Sequence, residues 1–295
     1  MLDRLRQHLH AAASAGGWPY YAGKGSRIEP TCWALLALAA VWPEDPASRS
    51  RFARPHLDWL AGLQSRDGLL IETEPAFANL TANALAAIVL MRLGGPEHAA
   101  VLRALCQGIV SVKGVGLGTV EGGQDNTLQG WPWVRDTFSW VEPTAWCLLA
   151  LKVATPAAHG AAERISEAER LLSNRVCSGG GWNYGNASTL GQDLRPYVPT
   201  TAVALLAMQD RRTDVPVQQS VQRLTALRST EHSAVALGLT ALALRLHGAA
   251  VDDVEDQLAE VVRRAEDAGH LQAIAIALHA LSADTHLVEM MRVGA

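Results

Sequence analysis

Two kinds of apolar pattern alternate along the 295-residue chain. One is apolar on almost every face: "PTCWALLALAAVW" from Pro30, "TANALAAIVLM" from Thr81, "PTAWCLLALKVA" from Pro143, "PTTAVALLAM" from Pro199, "SAVALGLTALAL" from Ser233 and "LQAIAIALHAL" from Leu271. A helix with no polar stripe has no side to turn toward water, so these segments are expected to be buried all round. The other kind has apolar residues at three- and four-residue steps and charge elsewhere: Leu2 to Ala13, Ser50 to Gln64, Glu97 to Val110, Ala157 to Val176, Pro216 to Leu227 and Val251 to Ala268. Such segments are helices with one wet face. Strand signals are weak, because alanine and leucine dominate. About six inner and six outer helices in alternation predict an all-α fold, an α/α toroid, formed as a single domain over residues 1–295.

The helix starts support this register. Proline in the first turn, beside Thr or Glu, recurs at Glu29-Pro30-Thr31, Glu142-Pro143-Thr144 and Val198-Pro199-Thr200, where the missing amide proton has no helical acceptor to lose. Two long loops, "GVGLGTVEGGQDNTLQGWPWVRDTFSW" and "CSGGGWNYGNASTLGQDLRPY", precede the third and fourth inner helices. Connections of that length in a compact fold usually carry function.

Charge and cysteine usage narrow the field. Lys+Arg 25 against Asp+Glu 29 leave a formal charge of −4, and the basic residues are scattered, so no nucleic-acid partner is expected. The four cysteines, Cys32, Cys106, Cys147 and Cys177, have neither disulfide nor zinc-site spacing. The start, "MLDRLRQHLHAAASAGG", lacks the apolar core of a signal peptide. Apolar runs end at about ten residues, against the roughly 20 that a membrane span needs. The expectation is a cytoplasmic protein, with peripheral contact at a membrane surface left open.

The Gly-aromatic loops that run into Pro-Thr helix heads, "GGWPYYAGKGSRIEPTCWALLAL" and "GGGWNYGNASTLGQDLRPYVPTTAVALLAM", resemble the repeats of squalene and other class II terpenoid cyclases and of protein prenyltransferase β subunits. The resemblance runs most clearly from Gly16 to Met208. It implies an α/α toroid with a central aromatic-lined cavity holding an isoprenoid or similar apolar small molecule. The family's Gln-x-x-x-Gly-x-Trp element survives in part: Gln64 and Gly68 are followed by Leu70, and Gly180 and Trp182 are preceded by Val176. Its Asp-x-Asp-Asp proton donor is replaced by Tyr197, Pro199 and Thr200 on one helix head, while Glu142 and Glu29 each supply a single acid on others. Asp-x-Cys, the zinc pair of the prenyltransferases, is absent, so no metal and no cofactor is expected. "DDVED" (Asp252 to Asp256) matches a magnesium-binding string, but acids in a first helical turn also serve the helix dipole.

The candidate catalytic residues are therefore Glu142, Glu29 and Asp136. The two glutamates sit at the same repeat position, where an acid also simply complements a helix N-terminus. The candidate substrate-binding residues are Trp33, Trp133, Trp140, Trp146, Trp182, Tyr184 and Tyr197, with Arg195; these rings equally suit a core plug at the loop end. His232, His270 and His279 have no partners at metal spacing and read as structural. Two other functions stay open. One is a non-catalytic lipid-binding or protein-interaction toroid that has lost the cyclase acids. The other is a polysaccharide lyase- or glycosidase-like toroid, in which tryptophans stack sugars and two carboxylates work as acid and base; "GGWP" resembles a segment of some pectate lyases.

Overall fold

The computed structural model describes residues 1–14, 16–41, 46–72, 78–118, 124–154, 158–282 and 290–294. Residue 157 and residues 119–123 of the first long loop lie outside the described set. The outer helices are α1 (Leu2–Ala12), α3 (Pro46–Gly62), α5 (Ala99–Ser111), α7 (Ala161–Asn174), α9 (Val215–Leu227) and α11 (Asp252–Asp267). The inner helices are α2 (Ile28–Val41), α4 (Leu80–Leu93), α6 (Val141–Val153), α8 (Val198–Ala207), α10 (Ala234–Leu246) and α12 (Leu271–Leu281). The inner helices pack in the order α2, α4, α6, α8, α10, α12, and α12 packs back on α2. The ring is closed. Outer helices cover its back, α3 lying against α2 and α4, and α11 against α10 and α12. This is the α/α toroid that the alternating patterns predict.

The inner helices α2, α4, α6 and α8 begin one or two residues before the segments read from sequence. Pro30 and Pro143 are third residues of α2 and α6, and the first amides of a helix have no intrahelical acceptor, so proline interrupts nothing there. One element is missed in the sequence. In the second long loop, β1 (Ser188–Thr189) pairs antiparallel with β2 (Gln192–Asp193), with Ser188 opposite Asp193. The turn residues Leu190 and Gly191 have φ of 49° and 72°, the left-handed pair that a two-residue hairpin requires.

The Gly-Trp signature of the loops is a structural tie. Trp18, Trp131 and Trp182 are fully buried. Each backbone amide donates to a threonine hydroxyl in the following inner helix: Trp18 to Thr31 at 2.8 Å, Trp131 to Thr144 at 2.9 Å and Trp182 to Thr201 at 3.0 Å. Each indole N–H donates to the last turns of an outer helix: to Leu9 O at 2.7 Å, Ile109 O at 2.8 Å and Leu172 O at 2.8 Å. The ring fills the gap between layers, and its one polar atom is satisfied, as buried tryptophan requires. The preceding glycines permit the approach: a Cβ on Gly17, at φ +133°, would lie 2.2 Å from Thr31 Oγ1, and one on Gly130 would lie 2.2 Å from Thr144 Oγ1. Where Leu70 replaces the tryptophan, Asn83 replaces the threonine and bonds both the amide and the carbonyl of Leu70, at 2.7 and 3.0 Å.

The axis of the ring is filled. Trp33 of α2 and Trp146 of α6 belong to helices separated by α4, yet their rings meet edge to face at 5.8 Å between centroids. Trp33 also meets His279 of α12 at 6.1 Å. All three side chains are buried, and burial lowers the His279 pKa to about 4, which keeps the imidazole neutral. The central aromatic-lined cavity expected for an isoprenoid is therefore closed at this level by the very rings proposed to line it. Trp33, Trp146 and Trp182 are core residues. No helix among the described residues is long and apolar enough to cross a membrane.

Candidate functional site

The second residues of α2, α4, α6 and α12 are Glu29, Thr81, Glu142 and Gln272. Counting four residues on from Glu29 and Glu142 reaches Trp33 and Trp146, so the glutamates share the axial face one turn above the tryptophan plug. They stand at the mouth of the ring, half-buried, where the plug gives way to the loops.

The two carboxyls differ in their surroundings. Glu29 is held at both oxygens, by the Tyr20 hydroxyl at 2.6 Å and by Gln272 Nε2 at 2.6 Å. Burial raises its pKa, while those two donors pull the other way. Glu142 has no hydrogen-bond partner among the described residues. Its pKa is pushed up to about 7, first by burial and then by the charge of Glu29. The carboxyl therefore holds or releases its proton near neutrality, the poise that acid-base chemistry needs. Between them around the ring, Thr81 Oγ1 is buried without a partner among the described residues. The mouth thus presents one restrained carboxyl, one free carboxyl and an unused hydroxyl.

Beside Glu142 lies a groove of about 650 Å³, within the usual range for small-molecule sites. The two long loops build it. Trp140, Phe138, Tyr184, Tyr197 and Arg195 line it, with Asn126, Asn183 and Asn186 supplying amides. Tyr184 and Tyr197 stand 5.2 Å apart between centroids, and about half of each residue's surface is open. The loops are tied at this point: the Val141 amide, at the start of α6, donates to Tyr184 O at 2.9 Å. Burial raises the Tyr184 pKa, and the nearby Glu142 charge adds to the rise. Glu142 flanks the groove and is not one of its lining residues. A second cleft of about 550 Å³, lined by Tyr20, Tyr21, Lys24, Arg27, Trp59 and Glu72, opens on the Glu29 side.

The other sequence candidates fall elsewhere. Asp136 is exposed, with φ 64°, on a turn outside the groove lining, and its neighbour Arg135 pairs with Asp67. Trp133 is partly buried and does not line the groove. In the acidic string of α11, Asp253 pairs with Arg228 and Glu255 with Arg245, which gives these acids a structural task. No group of three or more His, Cys, Asp or Glu side chains converges among the described residues as a metal site. Phe138, Asn126, Asn183, Asn186 and Arg175 line the groove without having been singled out in the sequence. Isolated asparagines in loops carry no periodic signal, and Phe138 could be found only by its place beside Trp140.

No family model matches the chain, and no curated protein matches it. Solved structures do share its fold. An alpha-amylase from Clostridium perfringens superposes with a TM-score of 0.67 at 10% identity, over 96% of this chain and 97% of its own. A beta-1,3-1,4-glucanase from Paenibacillus sp. X4 gives 0.59 at 12% identity, over 95% and 90%. A family 76 glycoside hydrolase from a bovine Bacteroides thetaiotaomicron strain gives 0.58 at 12% identity, over 95% and 77%. These neighbours overturn the resemblance to terpenoid cyclases and prenyltransferases. The segments that carried it, Gly17-Trp18 to Thr31 and Gly181-Trp182 to Thr201, are the ties that lock loops to inner helices, a need of toroid packing that is independent of isoprenoid chemistry. The chain shares the α/α-toroid fold of these solved structures.

Proposed function

We propose that the chain acts on carbohydrate, holding an oligosaccharide in the loop-end groove with Glu142 as the acid-base carboxyl beside it. The observation that carries this reading is the pairing of an unengaged carboxyl, with its pKa raised to about 7, and an open groove bearing exposed aromatic faces. Trp140, Tyr184 and Tyr197 offer rings with one apolar face and a polar tip, suited to stacking sugars while leaving hydroxyls wet. A protonated Glu142 would donate to the leaving glycosidic oxygen. Glycoside hydrolysis also asks for a second carboxylate. Glu29 is the one whose charge already acts on Glu142, and Tyr20 and Gln272 fix its orientation. The solved neighbours named as an amylase, a glucanase and a glycoside hydrolase support the reading at the level of fold.

A second reading, a binder that cleaves nothing, is favoured by one observation: both Glu29 oxygens are engaged, which leaves Glu142 as the free carboxyl of the two. A panel of neutral and acidic oligosaccharides, followed by chromatography of products and by calorimetric binding, separates these outcomes. Cleavage is expected to fall about 10²- to 10⁴-fold in Glu142→Gln, the usual contribution of a positioned acid, and to decline as pH rises above about 7, where Glu142 loses its proton. Undiminished cleavage in the variant would remove Glu142 from the chemistry, and binding without products would favour the second reading.

A further inference from the structure

The groove beside Glu142 has a charge pattern that sugar binding alone does not demand. Its lining holds two guanidinium groups, Arg175 and Arg195, and no carboxylate. Arg175 is 6% exposed, yet its donors reach neutral oxygens: Nη2 donates to Asp125 O at 3.0 Å and to Asn126 Oδ1 at 2.8 Å, and Nη1 donates to Asn174 Oδ1. The Asp125 carboxylate accepts from Thr127, at N and Oγ1, at 2.9 and 2.6 Å. It makes no ion pair with Arg175 among the described residues, although its charge acts on the guanidinium from farther off. Arg195 is exposed at the rim and has neither a hydrogen bond nor an ion pair among the described residues.

A buried guanidinium cannot escape its situation by losing a proton, because its pKa is too high. Buried charges are therefore normally paired. Contrast Arg164, equally buried over the Trp131 ring, which has Glu167 at 2.9 Å. In the groove no carboxylate lines the open space beside Arg175 and Arg195.

We propose that the saccharide taken by this groove is acidic, a uronate-containing oligosaccharide whose carboxylate is neutralised by Arg195 and Arg175 while Trp140, Tyr184 and Tyr197 stack its rings. The inference rests on the carbohydrate reading above and adds the substrate class. The guanidinium of Arg195 has two parallel N–H donors to present to a carboxylate, a match in shape as well as charge, while Arg175, whose Nη2 protons are already donated to Asp125 O and Asn126 Oδ1, adds its charge. The amides of Asn126, Asn183 and Asn186 are neutral donors for the remaining hydroxyls.

Calorimetry of the full chain tests this with trigalacturonate, its methyl ester, maltotriose and a sulfated, uronate-free trisaccharide. Trigalacturonate is expected to bind about tenfold or more tightly than its methyl ester, as loss of a charge-assisted pair predicts. Arg195→Ala, a change at an exposed side chain, is expected to remove about that tenfold preference by weakening trigalacturonate more than its methyl ester. Equal affinity for ester and acid, unchanged in the variant, overturns the inference while the carbohydrate reading stands. Tighter binding of the sulfated sugar overturns the choice of a carboxylate. If no saccharide binds, the carbohydrate reading falls and this inference with it.

Discussion

Replacing Glu142 with glutamine isolates the physical state of the candidate acid without any knowledge of the substrate. Glu142 sits half-buried with its pKa raised to about 7, against an ordinary value of 4.5. Below pH 4.5 the carboxyl is protonated in both folded and unfolded chains, and its ionisation has no effect on stability. As pH rises from 4.5 toward 7 the unfolded chain ionises first and the native state binds the extra proton, so stability falls. Above about 7 both states are ionised and the loss levels off. At 1.36 kcal/mol per pH unit, the full displacement is worth about 3 kcal/mol, reduced where water reaches the carboxyl. Glutamine keeps the shape and cannot ionise. Urea unfolding of wild type and Glu142→Gln from pH 4.5 to pH 8 should therefore give a stability difference that moves in favour of the variant by about 2 to 3 kcal/mol across that window. A difference that stays flat with pH would refute the claim that Glu142 is desolvated beside Glu29.

Other positions test the fold that holds the site. Thr144→Val preserves shape but leaves the buried Trp131 amide without its acceptor; a loss of about 1 to 3 kcal/mol in urea unfolding is expected. Gly17→Ala places a methyl 2.2 Å from Thr31 Oγ1 at a φ of +133°, and a loss of about 2 kcal/mol or more should appear in the same assay. Lys152, 4% exposed at its side chain, meets Glu169 at 2.7 Å and Asp210 at 2.6 Å; Lys152→Ala should cost about 3 kcal/mol, a loss that high salt relieves in part as the two acids are screened. A loss below about 0.5 kcal/mol, the range of ordinary surface changes, would show in each case that the contact is not the constraint described.

The toroid was legible in the sequence because burial is periodic. Helices such as α4 and α10, apolar on every face, can be satisfied only inside a second layer, and the charged segments between them provide it. The candidate site is legible in part. Glu29 and Glu142 stand out as single acids at equivalent helix heads, but sequence spacing says nothing about Tyr20 and Gln272 closing on one of them and leaving the other free. The tryptophans divide by position in the fold. Trp18, Trp131 and Trp182 recur because each seals a seam between layers, whereas Trp140 and Tyr197, each the residue before an inner helix, line the groove. Arg175 escaped notice because an arginine at a helix end is ordinarily a surface residue, and only the fold buries it.

The central claim is that carbohydrate binds at the mouth of the ring with Glu142 against the bond to be broken. A crystal structure of Glu142→Gln soaked with an oligosaccharide that the protein binds tests it most directly. Sugar rings are expected over Trp140, Tyr184 and Tyr197, with a glycosidic oxygen within about 3.2 Å of the residue 142 side chain, hydrogen-bonding reach for a general acid. Sugar bound away from the groove, or lying in it with no glycosidic oxygen near residue 142, would rule out Glu142 as the acid at this mouth.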